Sequence, residues 1–361
     1  MLFELLTSLI DKYSFLNVFK YLTFRTGLSV VTSLMIVFLI GGPLIKLFSK
    51  KMITGPIRQD GPIDHIIKKT GTPTMGGVII IIGILSSTLL WADLKNIYVW
   101  TLIFVSLSLG ALGLVDDILK IKFENSRGLK SSYKFLGQII IGLATLLILI
   151  EYSDHEFLYN LYFPFFKNLI WHMGLFFIPF GLFVIIGSSN AVNLTDGLDG
   201  LATVPVMLVA ISFTLISYVV GNTIFSEYLK IQYIPDVGEL SIFCGSIVGS
   251  CLGFLWYNAP PAKIFMGDTG SLSLGGSLAA IAIIVKHEIV LAIIGGLFVL
   301  ETVSVIIQVV SFKLTGKRIF KMAPIHHHFE KKGWAESTIV IRFWIIAIIL
   351  ALVGLATLKL R

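Results

Sequence analysis

The chain has 361 residues, of which 56% are hydrophobic and 14% are charged, with a formal net charge of +7. A soluble domain carries roughly 25% charged residues, and the mean hydropathy here is +0.90. This composition excludes an ordinary soluble enzyme and predicts a chain that is largely surrounded by lipid. Charged residues from Glu4 to Arg25 also argue against a cleavable signal peptide in the first 26 residues.

Ten apolar stretches are each close to the length of about 20 residues that a helix needs to cross a bilayer. They predict an all-α polytopic membrane protein that forms a single domain over residues 1–361, without a visible internal repeat. Cys244 and Cys251 lie about 10 Å apart along one of these helices, too far for a disulfide, so we expect them to be apolar packing residues. The predicted spans are 27–47, 75–92, 97–115, 135–151, 173–191, 201–220, 240–257, 270–286, 289–312 and 339–358.

Ten spans place both termini on one side of the membrane, and the charges in the loops indicate which side that is. One set of loops contains seventeen lysines and arginines, whereas the other loops and the two tails contain nine. Because cytoplasmic loops are enriched in these residues, we expect the first set to be cytoplasmic. The N-terminal segment 1–26 and the C-terminus are then periplasmic. The cytoplasmic set is 48–74, 116–134, 192–200, 258–269 and the histidine-containing loop 313–338.

The polar, motif-like stretches all fall in the cytoplasmic set, which predicts one reactive face for a cytosolic substrate. A transporter is expected instead to place its polar site near the middle of the bilayer. Neither a Walker A pattern nor a dinucleotide-binding fingerprint is present, and we expect no nucleic-acid partner. The stretches are KKTGTPTMGG (68–77), LGLVDDILK (112–120), NAVNLTDGLDG (190–200), WYNAPPAKIFMGDTGS (256–271) and PIHHHFE (324–330).

Two adjacent carboxylates, Asp116 and Asp117, end the third predicted span. Such a pair at the edge of a membrane is costly unless a cation or a proton lies between the charges. The alternative is a solvated helix end that nearby lysines stabilise. Asp268 favours a functional interpretation, because it lies in the same set of loops, after two prolines and beside glycine and hydroxyl residues. Three carboxylates on one face are suited to Mg²⁺, which prefers oxygen ligands.

The NLTDGLDG stretch places Asn193, Asp196 and Asp199 three residues apart, so they would share one side of a helix. These residues either form an Asx-rich turn that caps the next span, or they contact the ribose or base of a ligand. We favour ligand contact for Asn193 and Asp196. In the preceding TGTPTMGG stretch, Lys69 together with Thr74 and two glycines is typical of an anion contact.

Basic residues follow the aspartate pair, and most of them are expected to set orientation or to contact lipid headgroups. Lys134, at the start of the fourth span, is the best placed to meet a lipid phosphate. On the ninth span, polar residues recur at heptad-like spacing on a face that should turn away from lipid. We expect Glu301 to join helices and include Gln308 among the candidate substrate contacts. The polar face comprises Glu301, Ser304, Gln308 and Ser311.

Three consecutive histidines, His326, His327 and His328, lie in the PIHHHFE stretch. A zinc site needs about four ligands, and successive residues of a regular helix cannot all face one ion. An affinity tag is excluded because the stretch is internal. Imidazoles beside Lys321 are suited to hydrogen bonds with phosphate or sugar. We therefore expect His326 and His327 to contact the substrate and His328 to be structural.

Together, the motifs GTPTMGG, LGLVDD, NLTDGLDG, FMGDTGS and PIHHHFE resemble those of the phospho-N-acetylmuramoyl-pentapeptide transferases, from about residue 24 to the C-terminus. The aspartate pair and the GD loop are shared with the wider polyprenyl-phosphate sugar-1-phosphate transferases, whereas TPTMGG and PIHHHFE point to the muramoyl-pentapeptide branch. The resemblance implies a ten-helix fold in the bacterial inner membrane, usually a homodimer, with a cytoplasmic active-site cleft.

The resemblance also implies an activity. The family transfers phospho-MurNAc-pentapeptide from UDP-MurNAc-pentapeptide to undecaprenyl phosphate, which gives lipid I and UMP in peptidoglycan biosynthesis, and it requires Mg²⁺. Two alternatives remain open from the sequence. One is a transporter or scramblase for a nucleotide-sugar or lipid, and the other is a sibling transferase that uses UDP-GlcNAc.

The motifs carry the family's functional residues onto this chain. Asp116, Asp117 and Asp268 match the acidic catalytic residues, and we group His326 with them. Asp268, helped by Asp117, is expected to hold Mg²⁺, while Asp116 is either a base toward the lipid phosphate or a further metal ligand. Lys69, Thr74, Asn193, Asp196, Asn258 and Phe265 match nucleoside contacts, with Phe265 stacking on uracil. The substrate set also includes Lys134, Asp199, Gln308 and His327.

Overall fold

A computed structural model describes residues 1–53, 71–123, 128–153, 155–166 and 169–360, without the side chains of 155, 156 and 360. This part of the chain is mostly helical. The helices are α1 (Leu2–Ser8), α2 (Leu22–Lys50), α3 (Gly77–Trp91), α4 (Ile97–Lys122), α5 (Ser131–Tyr152), α6 (His155–Leu158), α7 (Phe177–Thr195), α8 (Thr203–Val220), α9 (Thr223–Leu229), α10 (Leu240–Asn258), α11 (Gly267–Ile284), α12 (Glu288–Ile294), α13 (Gly296–Thr315), α14 (Ile325–Glu330) and α15 (Glu336–Leu360).

The predicted all-α polytopic membrane architecture is confirmed. Within the described ranges, nine helices are long and apolar enough to cross a membrane, and α3 is equally apolar but has only 15 residues. Every predicted span coincides with a helix, except that one span is divided in two. A short antiparallel hairpin between α6 and α7, in which Leu161 pairs with Trp171, was not predicted. Its strands are β1 (Asn160–Tyr162) and β2 (Ile170–His172).

The divided span is 289–312, which we had predicted as a single helix. It breaks at Gly295, and the two pieces, α12 and α13, pack mainly against different helices, α15 and α7. Two successive glycines, Gly295 and Gly296, restrain the backbone little and so permit the break. The predicted division before this span is present, since α11 ends at Ile284 and α12 starts only at Glu288.

Helix α11 lies at the centre of the fold, and almost every one of its residues is buried. It packs against α4 and α7 through glycine, serine and alanine, whose small side chains allow backbones to approach closely. A Cβ on Gly77 would overlap the backbone of Gly270, and a Cβ on Gly113 would overlap the backbone of Asp268. These glycines therefore bring α3 and α4 against the first turn of α11.

A buried ion pair joins three elements at the end of the bundle where α4 begins. Arg25 donates to both carboxylate oxygens of Glu239, at 2.9 and 2.5 Å, and Glu239 also accepts from the backbone N–H of Asp93 at 3.0 Å. Asp116 lies about 28 Å along α4 from the start of that helix, by helix rise. The ion pair thus fixes one end of the bundle, whereas the polar motifs lie toward the other end.

Candidate active site

The structure brings the three aspartates together at one end of the bundle. Asp116 and Asp117 lie in the last turns of α4, and Asp268 is the second residue of α11. One carboxylate oxygen from each residue lies within 4.8 Å of the other two, and all three side chains are largely or fully buried. Oxygen-only donors at this spacing are what a hard cation such as Mg²⁺ requires, so the residues fit the implied metal ion.

Asp117 is tied to the N-terminus of α11. Its Oδ1 accepts from the backbone N–H of Asp268 at 3.1 Å, and its Oδ2 accepts from the backbone N–H and hydroxyl of Thr269 at 3.0 and 2.7 Å. A carboxylate is stabilised at a helix N-terminus, where unpaired N–H groups and the helix dipole point toward it. Asp117 therefore fixes the position of Asp268 as well as contributing its own charge.

Gly267 allows this close approach. It has a φ of +74°, and a Cβ there would lie 2.7 Å from Asp117 Oδ2 and 3.1 Å from the Thr74 hydroxyl. Only glycine adopts this backbone conformation without strain and leaves room for the carboxylate. The glycine of the FMGDTGS motif is thus required by the geometry between α4 and α11.

Two lysines lie between the aspartates. Lys120 Nζ is 2.6 Å from Asp116 Oδ2 and 3.0 Å from Asp268 Oδ1. Lys134 forms a short ion pair with Asp268 and lies 3.9 Å from Asp116. The sequence predicted that Lys134 meets a lipid phosphate, whereas Lys120 was one of the basic residues expected to stabilise a helix end, set orientation or contact lipid headgroups. Its spacing of four residues from Asp116 on a helix was the available signal.

Asn193, on α7, and Asp196, directly after this helix, border the aspartate cluster. Asn193 donates to Asp268 Oδ1 at 2.9 Å and to Ser271 Oγ at 2.8 Å. Burial and the negative charges of Asp268 and Asp117 raise the pKa of Asp196 to about 7, although a hydrogen bond from the Gly267 backbone opposes this shift. The electrostatic field of the cluster therefore extends to Asp196.

Asp199 and Asn258 connect two loops rather than pointing at the aspartate cluster. Asp199 Oδ2 accepts from the backbone N–H of Ala262 at 2.9 Å. Asn258 accepts from Gly200 N–H at 3.1 Å and from the Thr203 hydroxyl at 2.9 Å, and it donates to a backbone carbonyl, that of residue 264, at 2.9 Å. These bonds join the NLTDGLDG turn to the 258–266 loop and so fix the backbone that precedes Asp268.

Backbone pairing brings the TPTMGG segment alongside the same loop. Phe265 N–H donates to Pro73 O at 2.9 Å, and Phe265 O accepts from Gly76 N–H at 2.9 Å. Thr74 is consequently buried beside Gly267, while Phe265 keeps part of its surface exposed. The predicted anion contact Lys69 lies outside the described residues.

His326 is the histidine that the structure places most deeply. Both its side chain and that of Glu301 are 0% exposed, with His326 Nδ1 at 3.1 Å from Glu301 Oε1. A Cβ on Gly197 would overlap His326 Nε2, so this edge of the ring faces the turn that follows Asp196. The pairing of Glu301 with His326 was missed from the sequence, where Glu301 was expected to join transmembrane helices.

The remaining polar residues of α13 and α14 fasten the histidine-containing loop. Gln308 accepts from the backbone N–H groups of Ile319 and Phe320 at 3.1 and 2.9 Å, and it donates to Phe320 O at 3.0 Å. His328 accepts from Lys321 N–H at 3.1 Å. His327 Nδ1 lies 2.5 Å from a Glu330 carboxylate oxygen. The polar face of α13 therefore binds this loop through hydrogen bonds.

Burial and the charges of two lysines lower the pKa of His328, which supports a neutral imidazole that accepts a hydrogen bond. Lys332 and Lys321 are the two cations. This agrees with a structural role for His328, as its bond to the Lys321 backbone indicates.

Comparisons with known proteins complete the description of the site. Residues 99–286 match the family model of glycosyl transferase family 4, a range that contains the three aspartates. Residues 69–81 match signature 1 of the phospho-N-acetylmuramoyl-pentapeptide-transferases. The phospho-N-acetylmuramoyl-pentapeptide-transferase of Pelagibacter ubique (strain HTCC1062) is 69% identical to this chain over 361 residues, covering 100% of both sequences.

The chain belongs to the phospho-N-acetylmuramoyl-pentapeptide-transferase family. A second member of that family, from Maricaulis maris (strain MCS10), is 54% identical over an alignment of 371 residues that also covers 100% of both chains. The resemblance seen in the motifs is thereby confirmed. The family signature coincides with the segment around Thr74 that pairs with the loop before Asp268.

Proposed function

We propose that the protein transfers phospho-MurNAc-pentapeptide from UDP-MurNAc-pentapeptide to undecaprenyl phosphate, giving lipid I and UMP in peptidoglycan biosynthesis. The observation that carries the proposal is the buried cluster of Asp116, Asp117 and Asp268 with Lys120 and Lys134, in a membrane protein of this family. Three carboxylates and two ammonium groups at one point are suited to a metal ion and polyanionic reactants.

The reaction is a displacement at phosphorus. An oxygen of the lipid phosphate attacks the β-phosphorus of the UDP-sugar, the bond to the bridging oxygen breaks, and UMP leaves with that oxygen and its electrons. Both reactants are anions, so their repulsion opposes the approach. Lys120 and Lys134 are the cations at the cluster, and we propose that they offset this repulsion by binding phosphate oxygens.

We propose Mg²⁺ as the cofactor, held by Asp268 and Asp117. When bound, the ion would supply charge neutralisation at the diphosphate and at the leaving UMP. Asp117 keeps lone pairs available beyond its bonds to Asp268 and Thr269, because each carboxylate oxygen can accept more than one interaction. Asn193 holds the carboxylate of Asp268 from its other side.

Two roles remain in competition for Asp116. The second pKa of phosphate is about 6, so the lipid phosphate is mostly dianionic at neutral pH and has little need of a base. Asp116 Oδ2 lies 2.6 Å from Lys120 Nζ, a contact that supports a role as an electrostatic or metal ligand. Asp116→Asn separates the roles. Recovery of the rate at raised Mg²⁺ supports a ligand, whereas normal Mg²⁺ affinity with a collapsed rate supports a base.

For the nucleoside we propose contacts with Lys69, Thr74, Asn193, Asp196 and Phe265, with Phe265 stacking on uracil. The partial exposure of Phe265 and the backbone hydrogen bonds on both sides of it support this assignment. Three further candidates would act through the loops they fix, as their hydrogen bonds indicate: Asp199, Asn258 and Gln308. We place His326 and His327 at the diphosphate or sugar.

We also propose a location in the bacterial inner membrane, with the active site facing the cytoplasm, both termini in the periplasm and a homodimeric state. The asymmetry of seventeen against nine basic residues supports this orientation. The amino group of Met1 contacts Leu89 O near the end of α3, far along the bundle from Asp116, which agrees with a periplasmic N-terminus.

The direct test uses purified protein, Mg²⁺, undecaprenyl phosphate and radiolabelled UDP-MurNAc-pentapeptide. We expect UMP release in equal amount to a labelled lipid product, and Asp268→Asn is the inactive control. Turnover of UDP-GlcNAc in preference to this substrate would replace the proposal with the sibling transferase. Movement of substrate across vesicles without turnover would replace it with a transporter.

A further inference from the structure

The pair formed by Glu301 and His326 has a function that the cluster of aspartates does not explain. Both side chains are fully buried, and they come from different helices, α13 and α14. His326 Nδ1 lies 3.1 Å from Glu301 Oε1, and no hydrogen bond within the described chain reaches the Glu301 carboxylate or either ring nitrogen of His326. Each group is therefore the electrostatic partner of the other.

Because both groups are buried, each depends on the other for electrostatic stabilisation. A carboxylate removed from water is costly unless a donor or a cation lies beside it. His326 is the donor available to Glu301, so its Nδ1 is expected to carry a proton that faces Oε1. A carboxylate beside one ring nitrogen restrains the orientation of the imidazole.

The opposite edge of the ring points toward the candidate active site. Nε2 faces the backbone at Gly197, directly after Asp196, whose own electrostatic environment includes Asp268 and Asp117. Because Gly197 has no side chain, the ring packs directly against this turn. Nε2 is buried there without a hydrogen-bond partner in the described chain, so it is the ring nitrogen that a bound ligand would satisfy.

We infer that Glu301 is a positioning residue that holds His326 with Nε2 directed at the diphosphate of the nucleotide-sugar. This inference rests on the proposed function and assigns a role to a residue that touches no substrate. In the proposed state both ring nitrogens carry a proton: Nδ1–H faces the Glu301 carboxylate, and Nε2–H donates to an anionic oxygen whose charge grows as UMP leaves. Loss of the carboxylate lets the ring lose this second proton or rotate, with little effect on ground-state binding.

The test is a double-mutant cycle on purified protein with UDP-MurNAc-pentapeptide and undecaprenyl phosphate. Glu301→Gln keeps the size of the side chain and is expected to lower kcat by about 10- to 100-fold, the usual effect of removing the carboxylate partner of a functional histidine. KM for each substrate should change by less than about threefold. Glu301→Asp, which retains the carboxylate, should recover part of the lost rate.

The cycle also includes His326→Ala and the double variant. Because both residues act through one imidazole, the double variant should be no slower than His326→Ala alone. Glu288→Gln is the matched control. It removes another fully buried glutamate, which pairs with Lys286 at 2.7 Å, and it should lower the thermal midpoint while leaving kcat unchanged.

Three results would overturn the inference. They are a wild-type kcat in Glu301→Gln, a double variant whose loss equals the product of the two single losses, and a kcat in Glu288→Gln that falls as far as in Glu301→Gln. Absence of any UMP release by the wild-type protein is a different failure. It defeats the proposed function itself, and the positioning role is then withdrawn with it.

Discussion

Replacing Gly267 by alanine tests how closely α4 and α11 must approach for activity. The residue has a φ of +74°, and the added Cβ would lie 2.7 Å from Asp117 Oδ2. The left-handed conformation costs a side chain about 1–2 kcal/mol. The close contact adds a displacement of the carboxylate, the loop or both. A misplacement of about 1 Å at a reacting centre can lower the rate about 100-fold.

Gly174→Ala separates strain from displacement. Gly174 also has a positive φ, +53°, but a Cβ there meets nothing within 4 Å. Gly174→Ala should therefore lose only the thermal stability that the strain costs, and Gly267→Ala should lose at least as much, measured as the midpoint in detergent. Only Gly267→Ala should lose UMP release by about 100-fold and require more Mg²⁺ for half-maximal activity. Equal activity in the two variants would refute the claim that Asp117 and the Gly267 turn are in obligatory contact.

Two further substitutions test the surroundings of the aspartates. Lys120→Gln should slow UMP release at least about 10-fold and reduce the Mg²⁺ needed for activation, because a competing cation is removed from Asp116 and Asp268. Lys122→Gln, which removes a charge near the Phe123 ring, is the control, and equal behaviour of the two variants would contradict the role. Asn258→Ala should lower the thermal midpoint by several degrees, since each buried partner left unpaired costs about 1–3 kcal/mol. Unchanged stability with lost affinity for UMP would show instead that Asn258 contacts the nucleoside directly.

The transmembrane helices could be predicted from the sequence, because the length of each apolar stretch is enough to identify a span. The predicted span 240–257 and helix Leu240–Asn258 differ by one residue. The break at Gly295 was not accessible, because a Gly-Gly pair inside an apolar helix is tolerated in many contexts and only the different packing partners of α12 and α13 produce the break. Apolar pattern also underestimates helices that end in charges, since α4 continues through both aspartates to Lys122.

The candidate site could be predicted from the sequence only as a set of residues, because motifs identify chemical groups but not the distances between them. Sequence alone identified Asp116, Asp117 and Asp268, but their mutual distance depends on the packing of α4 against α11. Lys120 was considered only as a stabiliser of a solvated helix end or as an orientation signal, because both explain a positive charge near a membrane. Long-range partners were also invisible. Nothing local indicates that Gln308 bonds the backbone at Phe320, or that Glu301 faces a histidine 25 residues later.

The backbone contacts of α11 bear on how a mutational survey of this protein would be interpreted. Gly77 and Gly113 lack side chains, yet a methyl group at either position would overlap the backbone at Gly270 or Asp268. A survey scored by growth should therefore rank both positions with the three aspartates of the candidate site in intolerance. The intolerant positions would then include residues of the candidate site and residues that only pack the helices. A separate measurement of the amount of folded protein would distinguish these two groups.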